Sequence, residues 1–167
     1  LVKQVPRYAA VLKLAAEKAR WGIDLPSGHA HGVALHESFG SIVAQVAEVS
    51  LKGGMLRVHR VVCAIDCGTV VNPGTVAQQV ESSVNFALTA ALFGQIDIQD
   101  GVVQQTNFNN YPLVSMAQSP VVETWIVPST RSPEGVGEPA VPPLAPAVAN
   151  ALFQLTGQRQ RALPLKA

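Results

Sequence analysis

The spacing of apolar positions along the chain predicts three amphipathic helices. Residues 8–21 carry aliphatic side chains at helical intervals and are followed by Gly22, which is typical of a helix end. Residues 75–93 repeat the pattern, and so do residues 143–155, which lead to Gly157. We expect each helix to pack against the rest of the chain through one apolar face.

Between the first two helices, the apolar period changes to that of β-strands. Residues 33–50 alternate imperfectly, Lys52-Gly53-Gly54 provides a turn, and residues 55–66 form a second apolar run, so the pattern predicts a β-hairpin. The second run is apolar at successive positions, which is typical of a strand covered on both faces. We expect its side chains to divide into two sets: Leu56, Val58, Val62 and Ala64 on one face, and Val61, Cys63 and Ile65 on the other.

The remaining pattern completes a mixed fold. Asp100-Gly101 predicts a tight hairpin turn, and residues 121–127 predict another strand. The fold class that follows is α+β, a mixed sheet with β-hairpins and about three amphipathic helices. Because no linker or repeat divides the sequence, residues 1–167 are expected to form a single unit.

Composition limits the classes of function. Charged residues make up 14% of the chain and hydrophobic residues 48%, with a net charge of +1. Without a broad basic surface, nucleic acid is not an expected partner. No apolar run reaches the roughly 18 residues of a membrane-spanning helix, so no transmembrane segment is expected.

Two pairs of residues invite a metal or redox role. Cys63 and Cys67 lie in and just after the second β run, where burial as small hydrophobic side chains is favoured over metal or redox chemistry. His29 and His31 lie in residues 26–32, which read as a turn-rich loop. A His-x-His pair without a nearby acidic or cysteine partner belongs more often to an ordinary loop than to a metal site.

Residues 132–143 are the strongest candidate for chemistry. They place Gly135 and Gly137 immediately before Glu138, which Pro139 follows. Glycine permits another molecule to approach the backbone closely, whereas proline restricts its own φ and the residue before it. The pattern predicts a carboxylate on a loop of restricted shape, and a solvated turn is an equally good interpretation of this loop alone.

Several motifs occur in an order that resembles a known family. They are Gly32-Val-Ala-Leu-His-Glu-Ser-Phe-Gly, Ala64-Ile-Asp-Cys-Gly, Val71-Asn-Pro, Gln79-Val-Glu, Gly135-Val-Gly-Glu-Pro and Pro142-Pro-Leu-Ala-Pro. Together they resemble the C-terminal part of the molybdenum-binding large subunit of the xanthine dehydrogenase and aldehyde oxidase family. Within that family, the isoquinoline 1-oxidoreductase beta subunits are the most similar branch.

The resemblance implies a molybdenum hydroxylase, which oxidises an N-heteroaromatic (isoquinoline-like) compound or an aldehyde with water-derived oxygen. Glu138 matches the family glutamate that acts as general base beside molybdenum. Gln79, Gly135, Val136 and Gly137 match residues that approach the cofactor. The resemblance also implies that no side chain ligates molybdenum, because the metal is held through the pterin dithiolene.

The chain departs from the family pattern directly after the Gln79 motif. Ser82 and Ser83 stand where the family usually has glycines, which permit close backbone packing.

The same resemblance implies partners in a larger protein. Because the chain lacks an initiator methionine and the family subunit is several times longer, we expect a fragment of a molybdopterin-binding subunit. The complete protein is expected to hold the molybdenum cofactor as molybdopterin cytosine dinucleotide. It is also expected to work with a small [2Fe-2S] subunit in the bacterial cytoplasm or periplasm. The fragment alone is expected to lack cofactor and activity.

Two other interpretations stay open. The apolar composition also suits a non-catalytic structural or interaction domain within a larger assembly. A hydrolase would pair Glu134 with Glu138 as acid and base, although a loop gives these carboxylates no fixed separation.

Overall fold

The computed structural model of the protein describes residues 5–166. The elements in chain order are α1 (Pro6–Lys18), β1 (His29–Ser38), β2 (Ser41–Lys52), β3 (Met55–Asp66), α2 (Pro73–Leu92), β4 (Ile98–Gln99), β5 (Val102–Val103), β6 (Val121–Ile126) and α3 (Leu144–Thr156). The predicted α+β class is confirmed. Whether residues 1–167 form a single unit stays a prediction, and residues 1–4 and 167 lie outside the description.

The main sheet is mixed, as predicted. Its four strands lie in the order β1-β2-β3-β6, with β1, β2 and β3 antiparallel and β6 parallel to β3. The parallel strand requires a crossover connection, which α2 and the segment after it provide. β4 and β5 form the separate hairpin predicted at Asp100-Gly101.

Helices cover both faces of the main sheet. α1 packs on one face, where Val11 and Ala15 meet Val62 in one buried cluster. α2 and α3 share the other face, where Leu88 and Val148 belong to a second buried cluster with strand residues. β3 lies between two strands and two layers of helix, which explains its continuous apolar sequence and confirms the predicted double coverage. None of the helices within residues 5–166 has the length and apolar composition needed to cross a membrane.

Gly32 lets α3 approach β1 at backbone contact distance. A Cβ atom at this position would overlap the main chain of Ala147 and Ala151 in α3. A larger residue would push the helix away from the sheet, because backbone atoms of a helix cannot move aside separately. The first half of α3 is therefore positioned by its contact with β1, which lies more than a hundred residues earlier in the chain.

The structure corrects three predicted boundaries. β1 begins at His29, so part of the predicted loop 26–32 is strand, and the predicted run 33–50 is two strands. These strands turn at Phe39 and Gly40, whose φ angles of 54° and 77° suit a two-residue hairpin turn. The signal was missed because phenylalanine seldom adopts a positive φ. α1 ends at Lys18 rather than at residue 21.

A β-bulge corrects the predicted faces of β3. Glu48 pairs with Arg60 and the next residue, Val49, pairs with Val58, so His59 is the extra residue. The bulge shifts the alternation by one position. Val58 consequently lies in the cluster under α2 and α3, away from the face that it was predicted to share with Val62.

An ion pair joins α1 to the end of β3. Arg7 Nε lies 2.7 Å from Asp66 Oδ2, and the Gly68 amide donates to Oδ1 at 3.2 Å. Arg7 also donates to the Gly40 carbonyl oxygen at 3.0 Å. Burial of Asp66 disfavours its charged form, but the hydrogen bonds from Arg7 and Gly68 outweigh burial and hold the pKa of Asp66 below its ordinary value.

Replacing Asp66 by Asn is expected to lower the free energy of unfolding by about 1.5–3 kcal/mol at neutral pH. Because the folded-state pKa is depressed, the contribution of Asp66 is present above its unfolded pKa of about 3.9 and is lost as pH falls through the lower folded value. Urea unfolding of both proteins at a series of pH values should therefore show a difference that shrinks in acid. Asp100→Asn, at the exposed hairpin turn, is the control. Equal stability of parent and Asp66→Asn at neutral pH would contradict this role.

The two cysteines are buried in the cluster under α2 and α3, as predicted. Burial raises the pKa of the Cys63 thiol to about 12, and burial also raises the pKa of Cys67. Since the thiolate is the reactive form, we expect neither residue to react with Ellman's reagent in the folded protein at neutral pH. Both should react in denaturant, as measured by absorbance. Rapid labelling of Cys63 in the native protein would contradict its burial.

Candidate functional site

The candidate loop, residues 132–143, crosses the ends of two strands before it enters α3. The Thr69 amide donates to the Arg131 carbonyl oxygen at 2.9 Å, just before the loop begins. The Glu134 amide then donates to the Cys67 carbonyl oxygen at 3.0 Å, and the Gly135 amide donates to that of Phe39 at 3.1 Å. The first half of the loop is therefore fixed between the β3–α2 connection and the β1–β2 turn.

Side chains hold the middle of the loop, residues 135–140. Ser41 Oγ donates to the Gly135 carbonyl oxygen at 2.6 Å, and Ser83 Oγ donates to that of Gly137 at 3.1 Å. Gln45 Nε2 donates to the Ala140 carbonyl oxygen at 2.8 Å. These contacts give the loop the restricted shape that its glycines and proline predict.

Ser41, Gln45 and Ser83 were missed as site residues in the sequence. Gln45 did carry a signal, because it occupies an inward position of β2 between Val43 and Ala47. A polar side chain in such a row needs a buried partner, but the sequence does not say which. Ser83 carried a similar signal, since it interrupts the buried apolar stripe of α2.

Glu138 is exposed, and its backbone is fixed by a hydrogen bond from the Val141 amide to its carbonyl oxygen at 3.0 Å. The carboxylate forms no ion pair with any residue among 5–166. A carboxylate in this state, free of competing cations and held on an ordered backbone, can accept a proton from a molecule bound beside it.

Gln79 lies on the face of α2 that carries a contact with the same loop. Gln79 lies one helical turn before Ser83 in α2, so the two side chains share one face of the helix. Ser83 is buried and contacts Gly137, whereas Ser82 is exposed. The departure from the family glycines therefore does not prevent close packing, because the Ser83 hydroxyl itself makes the contact with the loop.

Gly135 and Gly137 differ in the space that surrounds them. A Cβ atom on Gly135 would overlap the side chain of Phe39, so this position is fixed by packing inside the chain. A Cβ atom on Gly137 would meet no atom within 4 Å, so the space beside Gly137 is open. Val136, between them, is half-buried and lines a pocket of about 220 Å³ with Cys67 and other residues near the start of α2.

The Glu134 carboxylate lies at the β1–β2 turn. A Cβ atom on Gly40 would overlap the Glu134 carboxylate, which places this group at the β1–β2 turn. The negative charge of Glu134 also contributes, after the larger effects of Asp66, to the raised pKa of Arg7. Pairing of Glu134 with Glu138 as hydrolase acid and base therefore gains no support from these contacts.

The two histidines lie in β1, and a carboxylate that the sequence did not place beside them is their neighbour. His29 Nδ1 lies 2.9 Å from Glu48 Oε1, and His31 Nε2 lies 3.9 Å from Glu48 Oε2. The His29 ring also stacks on His59 with 4.6 Å between ring centroids. Glu48 was missed because cross-strand pairing brings it from β2.

The part of the chain that the structure describes contains no cluster of His, Cys, Asp or Glu residues suited to hold a metal ion.

Comparison with known proteins identifies the family of the chain. Residues 8–120 match the model of the molybdopterin cofactor-binding domain. The chain is 35% identical to isoquinoline 1-oxidoreductase subunit beta of Brevundimonas diminuta, over 96% of this chain and 21% of that protein. It is 32% identical to the membrane-bound aldehyde dehydrogenase (pyrroloquinoline-quinone) of Gluconacetobacter polyoxogenes, over 96% of this chain and 22% of that protein.

The fold is shared with a protein of known structure. Quinoline 2-oxidoreductase from Pseudomonas putida 86 superposes with a TM-score of 0.65 at 21% sequence identity, covering 70% of this chain and 16% of that one. The chain thus spans about a fifth of the length of the curated relatives described above. The match of residues 8–120 and the similarity to the beta subunit show that the chain belongs to the molybdopterin cofactor-binding domain family of molybdenum hydroxylases, as its motifs predicted.

Proposed function

We propose that the chain is the C-terminal portion of a molybdenum hydroxylase large subunit, with Glu138 as general base. The substrate class is an N-heteroaromatic, isoquinoline-like compound or an aldehyde, oxidised with water-derived oxygen. The names of the relatives support these two classes, since they include an isoquinoline oxidoreductase and an aldehyde dehydrogenase. The observation that carries the proposal is an exposed carboxylate on a loop whose carbonyl groups are held on both sides of it.

The residues present fit the expected cofactor. The open space at Gly137 leaves the loop backbone accessible to a bound group, and Gln79 offers an amide on the helix face beside it. Val136 and Gly137 would contact the cofactor through main-chain atoms, because the Val136 side chain packs toward the core and the space beside Gly137 is open. Gly135 stays a predicted contact, since its amide and carbonyl groups are hydrogen-bonded within the chain. The molybdenum cofactor, when bound, supplies the redox chemistry, and the protein supplies position and electrostatics. Its cytosine dinucleotide form stays a prediction.

Glu138 would accept the proton that leaves the water-derived oxygen as that oxygen bonds to the substrate carbon. A general base works best when it is ionised and within hydrogen-bond reach of the proton. The held backbone limits the positions of the carboxylate, which lowers the entropy that must be lost in the reactive complex.

Large exposed apolar side chains support the remainder of the subunit as a partner. Met116 is 94% exposed and Phe108 is 77% exposed. Apolar side chains at such exposure often mark surfaces that another part of an assembly covers. The small [2Fe-2S] subunit is proposed as a second partner, through which electrons would leave. The naming of the Brevundimonas relative as a beta subunit supports a multi-subunit enzyme.

Glu138→Gln in the complete subunit, with its partner and cofactor, is expected to lower turnover by about 10²–10⁴-fold. The amide has nearly the same shape but cannot accept the proton, so molybdenum content should stay unchanged. Steady-state kinetics and elemental analysis measure the two quantities. Glu134→Gln is the matched control and should retain most turnover. Near-normal turnover of Glu138→Gln would overturn the proposed base, and equal loss in both variants would favour a carboxylate pair.

The 167 residues expressed alone are expected to bind no stoichiometric molybdenum and to show no turnover. The chain covers 21% of the length of the beta-subunit relative, so most of the cofactor-binding surface would come from other segments. Inductively coupled plasma mass spectrometry of the purified chain measures the metal. Molybdenum at one atom per chain would contradict this expectation.

A further inference from the structure

Most of the buried polar side chains in the described part of the chain contact one loop. Within residues 5–166, four polar or charged side chains are buried: Ser41, Gln45, Asp66 and Ser83. Apart from Asp66, each donates a hydrogen bond to a carbonyl oxygen within residues 135–140. Burying a polar group is unfavourable unless a partner compensates it, so a concentration of such groups on one segment requires a reason.

Core packing alone does not explain Gln45. Its side chain is 0% exposed and lies among aliphatic residues of the cluster under α2 and α3. The amide nitrogen donates to the Ala140 carbonyl oxygen at 2.8 Å and lies 3.9 Å from Cys63 Sγ, but Oε1 has no hydrogen-bond partner among the described residues. An apolar residue of similar size would avoid the cost of this unpaired oxygen. Because sulfur is a weak acceptor, the bond to the Ala140 carbonyl oxygen is the main contact that the amide contributes.

The three hydrogen-bond donors contact the loop both before and after Glu138. Ser41 and Gln45 reach the loop from β2, before and after the carboxylate, and Ser83 reaches Gly137 from α2. The residue before Glu138 and the second residue after it are thus both held by buried groups. Such an arrangement fixes the path of the backbone through Glu138 while the carboxylate itself stays free.

The fourth buried polar residue supports the same arrangement indirectly. Asp66 binds Arg7, and Arg7 donates to the Gly40 carbonyl oxygen at 3.0 Å. Gly40 lies between Phe39, which accepts a hydrogen bond from the Gly135 amide, and Ser41. The ion pair therefore stabilises the β1–β2 turn, and this turn binds the candidate loop.

We propose that Ser41, Gln45 and Ser83 are positioning residues, which we call the loop clamp, and that they fix the Glu138 carboxylate for proton transfer. This inference rests on the proposed function, in which Glu138 is the base. The loop clamp touches no reacting atom and acts only through the backbone of residues 135–140. Its loss should lower the rate of the proton-transfer step without weakening substrate binding.

The test compares Ser83→Ala with Ser82→Ala in the complete, cofactor-loaded protein. Ser82 is adjacent in α2 but exposed, so it controls for the loss of one hydroxyl from the same helix. Hydrogen–deuterium exchange of the peptide covering residues 134–141 reports loop opening independently of activity. Removing one neutral hydrogen bond is expected to speed that exchange about five-fold in Ser83→Ala and to leave it unchanged in Ser82→Ala.

Kinetics then separate positioning from simple support of the fold. Ser83→Ala should lower kcat about 10-fold with KM unchanged, whereas Ser82→Ala should retain parental kcat and KM. Unchanged exchange in Ser83→Ala would overturn the loop clamp. Faster exchange with normal kcat would also overturn it as a positioning device. If Ser83→Ala does not fold, Ser41→Ala is measured in the same way, since it removes the clamp contact at Gly135.

Glu138→Gln, measured beside these variants, distinguishes failure of the clamp from failure of the proposed function. If Glu138→Gln retains normal turnover, the base assignment fails, and the inference that depends on it fails too, whatever the exchange data show. If Glu138→Gln loses turnover while Ser83→Ala and Ser41→Ala match the parent in exchange and kcat, the base assignment stands and the loop clamp alone is wrong.

Discussion

A buried hydrogen-bonding group must find a partner, and in this protein that requirement organises the site. Ser41, Gln45 and Ser83 satisfy it with carbonyl oxygens of a single loop. In the low-dielectric interior, each such bond is costly to break, because the group left behind has no water to replace its partner. The loop is consequently tied to the sheet and to α2, although it contains little regular structure of its own.

The layered architecture makes this tie rigid. β2 and β3 are covered by α1 on one face and by α2 and α3 on the other, so a side chain such as Gln45 cannot turn toward solvent. Close-packed interiors transmit small displacements instead of absorbing them. The loop that carries Glu138 leads into α3, and the close contact of α3 with Gly32 holds that helix against β1.

The exposed side of the loop has a different character. Gly137 leaves open space, Glu138 forms no ion pair within residues 5–166, and Gln79 lies on the neighbouring helix face. The loop is hydrogen-bonded to the interior on one side and open to solvent on the other. This arrangement suits a carboxylate that must contact a bound molecule in a fixed geometry. This division agrees with membership in a family of cofactor-binding domains. The beta-subunit relative is about five times as long as this chain.

The sequence by itself determined the local elements, because periodicity and turn chemistry act over a few residues. The helical stripes, the turn at Asp100-Gly101 and the left-handed cap at Gly157 follow from such signals, as does the double coverage of β3. The family motifs added Glu138 and Gln79 as candidate site residues. The spacing of residues along the sequence does not predict which other residues surround these two. Only the tertiary structure decided the bulge at His59 and the bond from Gln45 to Ala140, which joins residues 95 positions apart. Such contacts depend on register and layer packing, which no local pattern specifies.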